Sequence, residues 1–207
     1  MRVNHWKSIS GAIAAVLAVF VSGGQAIAIP GQSVEEAIAW IQAHPTLRPA
    51  EGETLLIRKS DTPARRFTFQ SMLLPPGAVT AITATESSAR IRTERLTLVD
   101  LVRGVSPARL AETINIIYGA EIFADYQQAE SRFVYQSAAG IGETPEAMTS
   151  ISTLQGEFRR GDRFAYWWEV AYTAEGLPQS GQMTLLLLDD ADSLEAELRD
   201  RWQPSQP

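Results

Sequence analysis

The sequence predicts an α+β domain in which three or four helices pack on a mostly antiparallel sheet. Several segments alternate apolar and polar residues, the pattern of strands with one buried face. Helix starts are marked by Ser33, Ser106 and Asp192. No repeat or low-complexity linker divides residues 29–202, so we expect one globular domain there, followed by a flexible tail at 203–207.

Residues 1–28 have the order of a secretory signal peptide. Arg2 and Lys7 precede an apolar run, and Ala26 and Ala28 form a small-x-small cleavage site. We expect cleavage after Ala28, export to the periplasm or the cell exterior, and no membrane span in the mature chain. The apolar run also reaches the length of a short span, so the alternative is an uncleaved anchor on a structural envelope component.

The composition is that of an ordinary globular protein, and its net charge disfavours some classes of binding partner. Of 207 residues, 45% are hydrophobic and 20% charged. The formal charge is −6, and it becomes −8 without residues 1–28, which hold two basic residues and no acid. A negative field disfavours nucleic acid and anionic membrane surfaces. No cysteine is present, so the fold depends on its apolar core.

The first half of the chain predicts two helices with strands between them. Ser33 and Glu36 form a capping box that opens a helix ending near Pro45. A second helix begins at Ser106; it either ends at Gly119 or continues towards residue 128, and residues 122–126 also fit a strand. The predicted strands of this half lie at 54–59, 66–74, 79–85 and 89–98. A bulge near Thr93 is expected, because Ile91 and Leu96 have opposite phase.

The second half is rich in strands. The predicted elements are a strand at 131–137, a short helix opened by Thr144 and Pro145, strands at Phe164–Tyr172 and 182–188, and a final helix capped by Asp192. Four consecutive leucines at 185–188 indicate a strand buried on both sides, near the sheet centre.

The segment FAYWWEVAYT alternates with period two. One face would bury Tyr166 and Trp168, and the other would leave Trp167 as an exposed aromatic beside Glu169. To bury Phe158 on the Trp168 face, we expect a three-residue loop of Arg160, Gly161 and Asp162, with Gly161 at positive φ.

The residue inventory excludes several chemistries. Without cysteine, and with His44 as the single histidine after residue 28, cysteine nucleophiles and multi-histidine metal sites are excluded. We therefore expect no metal and no cofactor. His44 itself is expected to act as a cation at the end of a helix.

The candidate ligand-binding residues are Trp167, Glu169, Arg90 and Arg92. An exposed indole beside a carboxylate suits a ligand on a sheet face, and guanidinium groups suit carboxylate or phosphate. Arginines on a strand, and Arg65 and Arg66 near the first hairpin turn, also solubilise a wet face. The leading hypothesis is a non-catalytic exported domain that binds a partner protein or small ligand. The rival is a carboxylate-based hydrolase or lyase on envelope glycans, with Glu169 as its catalytic group.

Overall fold

A computed structural model describes residues 30–76, 90–138 and 153–202. These residues form four α-helices and one seven-stranded sheet in which every strand pair is antiparallel, which confirms the α+β class. The helices are α1 (Val34–Ala43), α2 (Pro107–Tyr118), α3 (Ala120–Gln128) and α4 (Ala191–Trp202). The strands are β1 (Leu56–Thr62), β2 (Arg65–Met72), β3 (Thr93–Asp100), β4 (Glu130–Ala138), β5 (Thr153–Arg160), β6 (Phe164–Tyr172) and β7 (Pro178–Leu187). The predicted signal at 1–28, strand at 79–85, helix at 144–145 and tail at 203–207 lie outside the described residues.

The sheet consists of two meanders joined at its centre. Strands β1, β2 and β3 follow one another, as do β4, β5, β6 and β7, and the order across the sheet is β1-β2-β3-β7-β6-β5-β4. Among the described strands, only the pairing of β3 with β7 connects the two meanders. The leucine-rich strand β7 is therefore central, as its apolar run predicts, with Leu185 and Leu186 buried.

The ends of α1 and α2 follow the local sequence signals, but the predicted cap at Asp192 is wrong, because α4 begins at Ala191 and Asp192 lies in its first turn. Ser33 and Glu36 make both bonds of the capping box, and α1 stops just before the His44–Pro45 step. The Ser106 hydroxyl accepts from the Arg109 amide to cap α2. Gly119 has φ 83°, which ends α2 and lets α3 begin at the next residue, so residues 122–126 are helical.

The predicted bulge near Thr93 is wrong. The register of β3 is continuous with both β2 and β7. Ile91 lies before the strand begins, where its amide donates to the Gln32 carbonyl. Its opposite phase therefore reflects a later strand start, and not an inserted residue.

Both faces of the sheet are packed. We call the first face the one that carries Leu96, Tyr166 and Trp168, which pack under α1, α2 and α3. The second face carries Phe158 and Trp167, and its core is completed by the apolar side of α4. None of the described residues of β1, β2 or β3 belongs to this second core.

The expected exposure of Trp167 is wrong. Trp167 is only 5% exposed, as is Trp168 on the opposite face. Leu194 and Leu198 of α4 belong to the same buried cluster as the Trp167 indole. The side chains of β6 therefore alternate between two buried cores, and neither side of the strand faces solvent at Trp167 and Trp168.

The predicted β5–β6 hairpin is also wrong in register and in loop length. Phe158 pairs with Trp167, and Gly161 donates its amide to the Phe164 carbonyl, which leaves Asp162 and Arg163 as a two-residue turn. Gly161 is not among the positive-φ glycines. A Cβ at Gly161 would approach the Asp125 carboxylate more closely than 3.0 Å, so a larger residue here would displace that carboxylate.

Candidate functional site

A hydrogen-bonded chain on the second face ends at the carboxylate of Glu169. The Trp167 indole Nε1 donates to the Tyr135 hydroxyl over 2.9 Å, and that hydroxyl donates to Glu169 Oε1 over 2.6 Å. Gln182 Nε2 donates to Glu169 Oε2 over 2.6 Å. Each carboxylate oxygen is therefore held by one donor and keeps lone-pair capacity for another.

Tyr135 is placed over β5 by a glycine and an aromatic neighbour. It lies opposite Gly156, where any Cβ would approach the tyrosine ring more closely than 3.0 Å. Trp202 at the end of α4 stacks on the ring, with centroids 5.0 Å apart. Burial and the neighbouring Glu169 raise the pKa of Tyr135, so the phenol stays protonated and acts as the donor to Glu169.

Arg95 of β3 lies on the same face, across the central strand. Arg95 pairs with Thr184, which in turn pairs with Trp167, and Gln182 of the next row pairs with Glu169. Burial lowers the pKa of Arg95, and the Glu169 carboxylate acts in the opposite direction. Arg95 Nε is buried and has no hydrogen-bond partner among the described residues. The arrangement brings one half-buried guanidinium near one fixed carboxylate.

The structure gives the four candidate residues from the sequence different partners. Trp167 and Glu169 join the network, but Trp167 contributes a buried N–H and not an exposed ring. Arg92 forms a bidentate pair with Asp190, at 3.0 Å from Nε and 2.5 Å from Nη2, which raises the pKa of Arg92. Arg90 is exposed and forms an isolated bridge with Ser33.

His44 has a structural role that differs from the expected cation. Its Nδ1 accepts from the amides of Thr46 and Leu47 at 3.2 Å each. An Nδ1 that accepts carries no proton, so Nε2 is the donor to the Ile117 carbonyl, at 2.9 Å. Burial lowers the pKa of His44. The ring is therefore neutral and joins the end of α1 to the last turn of α2.

Glu94 on the first face is a buried acid that the sequence reasoning missed. It has 0% exposure, and Ser71 donates its hydroxyl to Glu94 Oε1 over 2.6 Å. The Tyr118 hydroxyl acts to lower the pKa of Glu94, against the effect of burial. Neither this hydroxyl nor Glu94 Oε2 has a partner in hydrogen-bond geometry among the described residues. Burial raises the pKa of Glu94 to about 8. A signal was present, since Glu94 has the same strand phase as Leu96.

No protein family matches the chain, and neither does any curated protein or solved structure. The site is therefore interpreted from its own geometry. Among the described residues, no group of three or more His, Cys, Asp or Glu side chains is arranged to hold a metal ion. None of the described helices combines the length and the apolar character needed to cross a membrane.

Proposed function

We propose that the chain is an exported, non-catalytic binding domain, and that its ligand or protein partner contacts the second face between Arg95 and Glu169. The observation that carries this proposal is the half-buried Arg95 guanidinium, whose Nε has no hydrogen-bond partner among the described residues. Export rests on the signal-like order of residues 1–28.

The chemistry of the two groups indicates the ligand class. A guanidinium presents a planar fork of donors that matches a carboxylate, and the pairing is stronger where water is partly excluded. Glu169 is already oriented by Tyr135 and Gln182, and so offers a fixed acceptor to an ammonium or guanidinium group. The pair is thus complementary to a partner that carries a carboxylate and a cation side by side, such as an amino acid or a charged peptide segment.

The rival hydrolase needs a second carboxyl near the first. Retaining and inverting glycosidases place two acids about 5–10 Å apart. On the second face of β2, β3, β7 and β6, Glu169 is the single acidic side chain, and its described hydrogen-bond partners are a tyrosine and an amide. The geometry therefore favours binding over turnover.

The test compares Arg95→Gln with Arg58→Gln, an exposed arginine of edge strand β1. The mature protein is titrated with glycine, acetate and methylammonium while its backbone amide NMR shifts are recorded. We expect glycine to shift amides of β3, β6 and β7 more than either single-charge probe. These shifts should vanish in Arg95→Gln and persist in Arg58→Gln.

A second arm addresses a protein partner. A photo-crosslinker at Thr97, beside Arg95 on the same face, should capture a partner in the producing cell. The crosslink should disappear with Arg95→Gln and remain with Arg58→Gln. Equal behaviour of the two variants in both arms contradicts the proposal, and glycan hydrolysis lost in Glu169→Gln would replace it with the hydrolase.

A further inference from the structure

A pocket with basic walls lies at the other side of the sheet, where the β1–β2 turn meets the connection from β3 to α2. Its volume is about 350 Å³. We call it the basic pocket, and its basic residues are Lys59, Arg65, Arg66, Arg103 and Arg109. Two acids, Asp61 and Asp100, also line it, so its lining carries three more positive than negative charges, within a chain of formal charge −6.

Asp100 organises the wall of the basic pocket. Its Oδ1 accepts from the amides of Val102 and Arg103 at 3.0 and 2.9 Å, and its Oδ2 accepts from Arg109 Nη1 at 2.8 Å. These bonds hold the pKa of Asp100 well below its usual range, so the carboxylate stays ionised. Arg109 also donates to the Gly104 carbonyl, which fixes its guanidinium in place.

Several guanidinium donors remain available. Arg65 Nε is buried and lies 3.6 Å from Asp100 Oδ1, which is too long for a hydrogen bond, and it has no other described partner. Arg66 and Arg103 are exposed, and neither forms an ion pair with a described residue. The pocket therefore holds more cationic donors than its own acids satisfy.

The basic pocket also has an apolar side. Phe67 and Leu98 line it and are half-buried. Leu101 and Val102, in the connection that forms its rim, are 55% and 68% exposed. Exposed apolar side chains beside a cationic cavity suit a ligand that has an anionic end and an apolar body.

We propose that the basic pocket binds an organic phosphate, with its phosphate against Arg65 and Arg103 and its apolar part over Phe67 and Leu98. A phosphate monoester carries about −1.5 to −2 charges at neutral pH, which matches the surplus of three positive charges better than a single carboxylate does. Arginine forks also suit the phosphate oxygens. Phe67, Leu98 and Asp100 of the pocket lie on the first face, so this proposal is independent of the Arg95–Glu169 site.

The experiment titrates the mature protein with phenyl phosphate, inorganic phosphate and phenol, and follows backbone amide NMR shifts. The test variant is Arg65→Gln with Arg103→Gln. The control is Arg58→Gln with Arg90→Gln, which removes the same charge from two exposed arginines outside the pocket. Arg109 is left intact because it donates to Asp100 and to the Gly104 carbonyl.

We expect phenyl phosphate to shift amides around the basic pocket and to bind more tightly than inorganic phosphate or phenol. The test variant should weaken phenyl phosphate at least about tenfold, the loss expected for bonds to a charged group. The control should weaken it by less than about twofold, because Arg58 and Arg90 do not line the pocket and the attraction between exposed charges is screened by salt.

Three results would overturn the proposal. The first is the absence of shifts at the basic pocket, and the second is an equal loss of affinity in the two double variants. The third is binding to phosphatidylglycerol vesicles without binding of phenyl phosphate, which would assign the basic surface to a membrane.

Discussion

Replacing Glu94 by glutamine should remove a pH dependence that this one buried acid imposes on folding. The folded domain holds the Glu94 proton up to a pKa of about 8, whereas the ordinary value is 4.5. Between these values the folded state binds a proton that the unfolded chain releases. The free energy of unfolding therefore falls as the pH rises through this window, by about 1.4 kcal/mol per unit. From pH 5 to pH 8 the loss is on the order of 4 kcal/mol.

Glutamine keeps the shape of the protonated acid and has no proton to lose. Its carbonyl can accept from the Ser71 hydroxyl as Glu94 Oε1 does. We expect Glu94→Gln and the natural protein to have similar stability near pH 5. The variant should then become progressively more stable than the natural protein up to pH 8.

The assay is urea unfolding at intervals from pH 5 to pH 8, followed by tryptophan fluorescence, with the slope of each transition checked for constancy. Glu112→Gln, on the exposed side of α2, is the matched control and should leave the pH profile parallel to that of the natural protein. If the Glu94→Gln profile is also parallel, then Glu94 is not protonated in the folded state at neutral pH, and the reasoning from its burial is wrong.

Three further predictions concern the rest of the chain. His44 has a lowered pKa, so its contribution to stability is complete above pH 6.5 and is lost as the pH falls towards the folded value; urea unfolding of His44→Asn should lack this acid-side loss. Gly156→Ala should displace the Tyr135 ring at a cost of about 1–3 kcal/mol, and this cost should shrink in a Tyr135→Ala background, whereas equal costs would show that the ring is not the obstacle. N-terminal sequencing of the native protein should begin at Ile29, and a start at the initiating methionine would support the anchored alternative.

Helices and strands that have clear local sequence signals could be predicted from the sequence. The tertiary contacts between them could not. The bounds of Phe164–Tyr172 follow from period two, and the start of α2 follows from serine before proline. The burial of Trp167 depends on α4, which begins 24 residues later, at Ala191, and packs on it through tertiary contacts. The predicted register assumed that only one face of β5 and β6 is buried. Because both faces are buried, the burial of Phe158 does not determine the length of the hairpin loop, and the predicted register is wrong for that reason.

The candidate site shows the same division. Trp167 and Glu169 lie on one face because they are two residues apart on a strand. Arg95 joins them only because β7 lies between β3 and β6, and a single sequence does not specify this order. The sequence pattern also could not distinguish Arg92, which pairs with Asp190, from Arg95, whose buried Nε has no hydrogen-bond partner in the described part of the chain.

The central position of β7 has a consequence for the order of assembly. Because β7 follows the other six described strands in the chain, the two meanders can meet only after all of these strands have been made. Their union depends on contacts between distant segments, and such contacts form slowly. Until β7 has been made, the sheet is incomplete. An incompletely folded polypeptide can pass through a narrow channel, as the proposed export route requires.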